Sequence, residues 1–188
     1  THEFYKTRAD LTRLLIEQRG FNAVAIEADW PDTHRVYRYL TGDVNTDPSA
    51  EEALGSFKRF PTGMWRNTDV VEFLQWLKSW NDQRRPGPAR VGFYGLDLYS
   101  LYGSIAAVLD YLHEVDPSAE KKARSAYSCF DHFAEDSQQY GFAAASGIME
   151  SCHKVVLRQW QDLQQREGQY SLRDGEQEGF FFAAQNAR

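Results

Sequence analysis

Cysteines and long apolar runs are scarce in this sequence. The two cysteines, Cys129 and Cys152, lie in apparently helical segments, without a CxxC pair or the spacing of a disulfide framework. This usage fits a reducing compartment, so we expect the protein to be cytoplasmic. No apolar run approaches the roughly 18 residues that indicate a membrane span, and no signal peptide precedes the first predicted helix. We therefore expect no contact with a membrane.

Basic clusters and familiar catalytic motifs are also missing. The formal net charge is -6 and no basic block offsets it, which argues against a nucleic-acid partner. The sequence has no GxSxG elbow, no glycine-rich phosphate loop and no catalytic-cysteine signature. It also has no HExxH or other compact ligand spacing. We predict neither a metal nor a cofactor.

What is present is typical of a globular protein. Apolar residues make up 42 % and aromatic residues 14 % of the 188-residue chain, which is enough for a sizeable core. Length and pattern predict a single domain, with an α/β part at residues 1–116 and a helical part at residues 117–188. The chain starts at a threonine and ends within a predicted helix. We therefore interpret it as the N-terminal side of a longer domain.

Residues 21–28 form an apolar segment that predicts a buried strand. It follows a predicted helix that ends at Gly20 and precedes a second one that ends at Gly42. The segment has no polar face, as is typical of parallel strands covered on both sides. Glu27 lies inside it, where burial without a partner would be costly, and this favours a role for Glu27 in a site.

The same arrangement recurs at residues 91–97, an apolar strand that ends in Asp97 and leads into a helix at residues 101–112. Asp97 and its counterpart Asp29 either cap the following helices or deliver carboxylates into a cleft, and the sequence favours neither. Ligands bind at the carboxyl ends of strands in open α/β sheets. The predicted fold class is therefore α/β, with the site at the strand ends in the first half and a mostly helical second half.

Cationic and imidazole side chains accompany these strands. Arg8 and Arg66 carry positive charge that would attract an oxyanion or Glu27, although a lone arginine is more commonly a solvated helix residue. His34 is a candidate base or ligand. A metal site built from His34 and the strand-end carboxylates has suitable ligand types but no compact spacing, so it is the weaker alternative.

Several blocks of sequence together resemble the erythromycin esterase family. They occur in the order that the family shows, and their form is closer to its broad, uncharacterised branch than to the resistance enzymes. The blocks are Thr1-His2-Glu3-Phe4-Tyr5 with Lys6 and Arg8, Ile26-Glu27-Ala28-Asp29-Trp30, Trp65-Arg66, Phe93-Tyr94-Gly95-Leu96-Asp97-Leu98-Tyr99-Ser100 and Ala184-Gln185-Asn186-Ala187-Arg188.

This resemblance implies a metal-independent hydrolase in which a histidine activates water to attack an ester, or a macrolide lactone in the best-known members. The histidine would lie in a Gly-Glu-x-x-His-Gly segment immediately before Thr1, so we expect the 188-residue chain alone to be inactive. The implied supporting residues, for the histidine and the oxyanion, are Glu3, Arg8, Glu27 and Arg66.

We further predict that a small-molecule ester or lactone contacts Trp30, His34, Asp97 and Tyr99. Two other functions remain open. The chain could be a ligand-binding α/β module that keeps the cleft without the chemistry, or part of a metal-dependent hydrolase. The residues immediately before Thr1 discriminate the first alternative, and sensitivity of the full-length protein to a chelator discriminates the second.

Overall fold

Helices dominate the computed structural model, which describes residues 1–42, 46–59, 61–84, 90–97, 99–133, 137–147, 152–174 and 177–188. The chain divides into two units, Thr1–Asp97 and Leu98–Arg188. The first contains a two-stranded parallel sheet, and the described part of the second is helical. The predicted α/β class with a mostly helical second half is confirmed.

The first unit follows the predicted order of elements. Gly20 and Gly42 end its first two long helices in the left-handed conformation, with φ of 69° and 66°, as glycine after a helix commonly does. Its elements are α1 (His2–Arg19), β1 (Ala23–Asp29), α2 (Trp30–Thr41), α3 (Ala50–Ala53), 3₁₀-helices at Leu54–Ser56 and Thr62–Met64, α4 (Thr68–Asp82) and β2 (Gly92–Asp97).

The faces of β1 differ from the prediction. Ile26 is buried, whereas Ala23, Ala25 and Glu27 are exposed, so the strand has one covered and one open face. The prediction of burial on both faces was wrong because alanine is small enough to be tolerated on either face. The burial argument for Glu27 therefore falls, and any role for this residue must rest on its position.

A buried asparagine joins the helices of this unit to its sheet. The side-chain amide of Asn81 donates to the carbonyl oxygens of Leu40 (3.4 Å) and Val91 (3.1 Å), and its oxygen accepts from Val91 N at 2.8 Å. Asn81 has no exposed surface. A buried amide with these partners satisfies main-chain groups at the end of α2 and just before β2.

Gly95 allows β2 to approach the beginning of α2. A Cβ atom at this position would lie 2.8 Å from Thr33 Oγ1 and 2.9 Å from the carbonyl carbon of Asp29. Thr33 itself donates to the carbonyl oxygen of Trp30 at 2.8 Å. This close contact fixes the end of β1 next to the end of β2, where the predicted site lies.

The second unit consists of helices around its own core. Residues 101–112, which we assigned to the α/β part, belong to α5 and pack here against α6 and α10. The elements are α5 (Leu101–Val115), α6 (Pro117–Tyr127), a 3₁₀-helix at Ser128–Phe133, α7 (Ser137–Ala145), α8 (His153–Gln165), α9 (Glu167–Asp174) and α10 (Gln177–Ala187).

Asp116 connects three helices of the second unit. Its Oδ1 accepts hydrogen bonds from the backbone N–H groups of Ser118 (3.2 Å) and Ala119 (3.0 Å) and so caps α6. Its Oδ2 accepts from Arg166 Nη1 at 3.0 Å and from the Tyr170 hydroxyl at 3.1 Å. These bonds lower the pKa of Asp116, the Ala119 N–H most strongly.

Cys129 and Cys152 form a disulfide in the second unit. Disulfides are typical of oxidising compartments, so the cysteines no longer support the expected reducing environment, and cytoplasmic location stays a prediction. Within the described ranges, no helix is both long and apolar enough to cross a membrane.

Candidate active site

A bulge in β1 places Glu27 at the centre of the candidate site. Ile26 pairs with Gly95, but Asp29 pairs with Asp97, so two residues of β1 stand opposite one residue of β2. An extra residue in one strand interrupts the ladder and redirects the side chains around it, and such bulges are common beside active sites. Glu27 is one of the two residues in this irregular stretch.

The bulge is held from outside the sheet by Trp65. The indole Nε1 of Trp65 donates to the carbonyl oxygen of Glu27 at 3.0 Å. Glu27 and Trp65 also line both of two cavities. Trp65 thus fixes the main chain of a residue that borders both of them.

The first space, which we name the carboxylate cavity, has a volume of about 150 Å³. Four acidic side chains, one arginine and a small apolar wall surround it. Its lining residues are Glu27, Ala28, Asp29, Asp32, Phe57, Arg59, Pro61, Thr62, Met64, Trp65 and Asp97. The carboxylates at the strand ends, whose role the sequence left open between helix capping and a cleft, therefore line one cavity.

Arg59 lies between two of these carboxylates. Its Nη1 is 3.9 Å from Asp29 Oδ1 and 3.7 Å from Asp97 Oδ2. Asp29 occupies the position before α2, but its side chain makes no capping hydrogen bond, and Ser100 rather than Asp97 precedes α5. Of the two alternatives for these aspartates, the geometry matches carboxylates in a cleft.

The carboxyl group of Asp32 has a raised pKa. Burial, and next the negative charge of Asp29, raise its pKa to about 6, against weaker opposing effects from Ser56, Lys58 and Arg35. A fraction of the molecules therefore carries a protonated Asp32 near neutral pH. Such a group can donate a hydrogen bond or exchange a proton with a bound molecule.

The second space, which we name the α1–β1 cavity, has a volume of about 280 Å³. It brings together two of the predicted catalytic residues, Glu27 from β1 and Arg8 from α1. The guanidinium carbon of Arg8 lies 4.9 Å from the centroid of the Tyr5 ring, which also lines this cavity. The remaining walls are largely apolar, with Ile26 and Phe73 among them.

Other predicted residues lie elsewhere in the first unit. Glu3 is exposed in the first turn of α1, where a backbone hydrogen bond of its own residue is the largest cause of a lowered pKa. Arg66 is exposed beside an open groove that also contains Glu51 and Glu72. Trp30 is buried and stacks on Tyr94 at 5.9 Å between ring centroids.

His34 and Tyr99 are the two remaining predicted residues. The His34 ring lies 6.2 Å from that of Tyr37, and burial, followed by the charge of Arg38, lowers its pKa to about 4. Its imidazole is therefore neutral at neutral pH. Tyr99 belongs to the second unit, and its side chain is 69 % exposed.

Three site residues, Arg59, Asp32 and Trp65, were not predicted. Trp65 belongs to one of the blocks that carry the family resemblance, and Asp32 lies in the first turn of α2, where acidic residues are common without any site. Arg59 has no periodic or motif signal, because it lies in irregular chain between two 3₁₀-helices. Among the described residues, no group of three or more His, Cys, Asp or Glu side chains is arranged to hold a metal ion.

A sequence model of the erythromycin esterase family matches residues 16–188. The chain belongs to this family. The match includes β1 with its bulge, Trp65 and both strand-end aspartates. The family resemblance inferred from the sequence is confirmed.

Relatives of this family share a modest part of the sequence. The putative hydrolase YbfO of Bacillus subtilis (strain 168) is 25 % identical over 139 residues, which are 73 % of this chain and 28 % of YbfO. A solved Bacillus cereus protein has a TM-score of 0.63 at 16 % identity and covers 100 % of this chain and 43 % of its own length.

Two further solved structures have the same fold. A succinoglycan biosynthesis protein has a TM-score of 0.62 at 20 % identity, over 98 % of this chain and 41 % of that one. A mutant of the erythromycin esterase EreC, in its open conformation, has a TM-score of 0.58 at 19 % identity, over 98 % and 44 %. The chain spans less than half the length of each of these relatives.

Proposed function

We propose that this chain forms part of a hydrolase that cleaves a carboxylic ester or lactone with an activated water molecule. Membership of the erythromycin esterase family and the similarity to a putative hydrolase support a hydrolytic role. The observation that carries the proposal is the position of Glu27, in a bulge at the end of β1 and on the wall of two cavities.

In the proposed reaction, a histidine that precedes residue 1 acts as the general base. Glu27 orients that imidazole and stabilises its protonated form, as a carboxylate beside a catalytic histidine commonly does. Arg8, which lines the same cavity as Glu27, offers fixed positive charge to the oxyanion that forms when water attacks the carbonyl carbon.

The test is hydrolysis by the full-length gene product and its Glu27→Gln variant. The substrates are 4-nitrophenyl esters of increasing chain length, simple lactones and a macrolide lactone. Loss of the carboxylate should lower kcat/KM by about 100-fold or more, because the histidine that Glu27 orients supplies general-base catalysis of that order. Glu17→Gln is the matched control, since it makes the same chemical change on the exposed side of α1.

Four results would count against the proposal. Activity that survives Glu27→Gln would remove Glu27 from the mechanism, and ester hydrolysis by the 188-residue chain alone would remove the histidine that precedes residue 1. Binding of these substrates without turnover would favour the ligand-binding module. Loss of turnover on addition of a chelator would favour the metal-dependent hydrolase instead.

A further inference from the structure

Two carboxylates stand opposite each other where β1 and β2 end. Asp29 and Asp97 are register partners on adjacent strands, and Asp29 is only 8 % exposed. Like charges at directly opposed positions of a sheet destabilise it. Salt screens the repulsion poorly where the charges are partly buried. The end of the sheet therefore depends on a countercharge.

Arg59 supplies such a countercharge to both aspartates through one nitrogen atom. Nη1 lies within 4 Å of an oxygen of each aspartate, at 3.9 Å and 3.7 Å. These distances exceed those of direct hydrogen bonds, so these two contacts are mainly electrostatic. Among the described residues that line the carboxylate cavity, Arg59 is the cationic one.

Glu27 depends on the same end of β1. It lies two residues before Asp29, in the bulge, and Trp65 Nε1 binds its carbonyl oxygen. The bulge is thus held at its main chain by Trp65 and at its following side chain by Arg59. If repulsion separated Asp29 from Asp97, the end of β1 would move and the carboxylate of Glu27 would move with it.

We propose that Arg59 is a positioning residue of the hydrolytic site: its guanidinium offsets the repulsion between Asp29 and Asp97 and so keeps Glu27 in its working position. This inference rests on the hydrolase function proposed above. Arg59 acts through the two aspartates rather than on the reacting atoms. Its loss should therefore lower kcat more than it raises KM.

The test is a double-mutant cycle in the full-length gene product. Arg59→Gln should lower kcat about tenfold, a coupling of the size usual for charged neighbours. Adding Asp97→Asn to this variant removes one of the two repelling charges and should restore most of the lost kcat. Arg59→Lys keeps the charge and should retain most of the activity. The control is Arg19→Gln on exposed α1.

Additive losses in the Arg59→Gln/Asp97→Asn variant would overturn the proposal, because a purely packing role for Arg59 gives no rescue. An unchanged kcat in Arg59→Gln would overturn it as well.

A second readout does not depend on hydrolysis. Arg59→Gln should lower the midpoint of thermal unfolding by about 2 to 4 °C, and Asp97→Asn in that background should raise it again. If neither the unaltered protein nor any variant cleaves an ester, the hydrolase proposal fails. The unfolding midpoints still decide the charge-bridging role, and additive midpoint shifts would refute it.

Discussion

The two units of this chain use their polar residues for different purposes. In the first unit, acidic side chains converge on a cavity of about 150 Å³ and two like charges are opposed at the end of a sheet. In the second, Asp116 accepts hydrogen bonds from the start of α6, from Arg166 and from Tyr170, and the cavity beside Tyr170 measures about 20 Å³. Like charges held close together usually mark a functional site, whereas polar groups with complete hydrogen bonding usually serve to hold a structure together.

The units also differ in what fixes them. A buried amide, Asn81, connects helices to strand in the first unit, and a disulfide between Cys129 and Cys152 closes a segment of the second. Substitution of Asn81 should therefore affect the first unit more, and loss of the disulfide should affect the second unit more. Amide hydrogen exchange resolves the two, because it reports the opening of each segment separately.

Asn81→Ala should produce the largest effect on stability. The substitution leaves three buried main-chain groups without their partner, which costs about 3 kcal/mol or more in the free energy of unfolding. Urea unfolding measures the loss, and hydrogen exchange should rise in α2 and β2 while α5 and α6 change little. Gln83→Ala, in an exposed position two residues later, should change stability by less than about 0.5 kcal/mol. An equal rise in hydrogen exchange in both units would contradict a role of Asn81 confined to the first unit.

Breaking the disulfide should produce the next largest effect, in the second unit. Removal of a crosslink between residues 23 apart in sequence destabilises a protein by about 2 to 4 kcal/mol. Cys129→Ala and reduction of the unaltered protein should therefore give similar losses, with faster exchange in α8 and little change in β1. Reductant should have no additional effect on the variant. Two free thiols in the unreduced protein would refute the crosslink.

Asp32→Asn should give the smallest effect, and its sign should be stabilising. The raised pKa of Asp32 means that the folded protein binds this proton more tightly than the unfolded chain does. The stabilisation that comes from this tighter proton binding is complete below about pH 4 and is lost as the pH rises through about 6. At pH 8 the variant should therefore be more stable by roughly 1 kcal/mol, a value reduced because solvent screens this half-buried group.

Asp47 supplies the matched comparison for Asp32. Its carboxylate accepts two hydrogen bonds from Arg35, at 2.8 Å and 2.6 Å, and this partner lowers its pKa. Its contribution to stability is present above pH 4 and is lost as the pH falls. Asp47→Asn should thus destabilise the protein at pH 8, in the opposite direction to Asp32→Asn. Thermal midpoints measured from pH 4 to pH 8 test both, and equal signs would contradict the electrostatic account.

Local signals in the sequence predicted most of the first unit. Glycine at Gly20 and Gly42 marked the helix ends, and the repeated strand with a terminal carboxylate marked both strands. These helix ends and strands depend on residues close together in the chain, which is why periodicity and turn chemistry reveal them. The convergence of Asp29 and Asp97 was one of two open alternatives, because it depends on the pairing of strands far apart in sequence, whose carboxyl ends share one edge of the sheet.

Features that depend on distant residues were not predicted. Gly168 gives the helix α9 a weak local signal, yet α9 forms over Glu167–Asp174, because Tyr170 is buried and bonded to Asp116, which is far away in sequence. Tertiary contacts of this kind override the low helix propensity of glycine. Arg59 was missed for the same reason, since its partners are both strand ends.

The bulge in β1 also matters for anyone redesigning this fold. A procedure that favours regular strands would delete one residue between Ile26 and Asp29 and obtain a continuous ladder with better backbone pairing. Deleting Glu27 would keep Asp29 opposite Asp97, but it would remove the site carboxylate and the carbonyl group that Trp65 now binds. The redesigned scaffold would therefore be more regular and more stable, but it would lack the carboxylate on which the proposed chemistry depends.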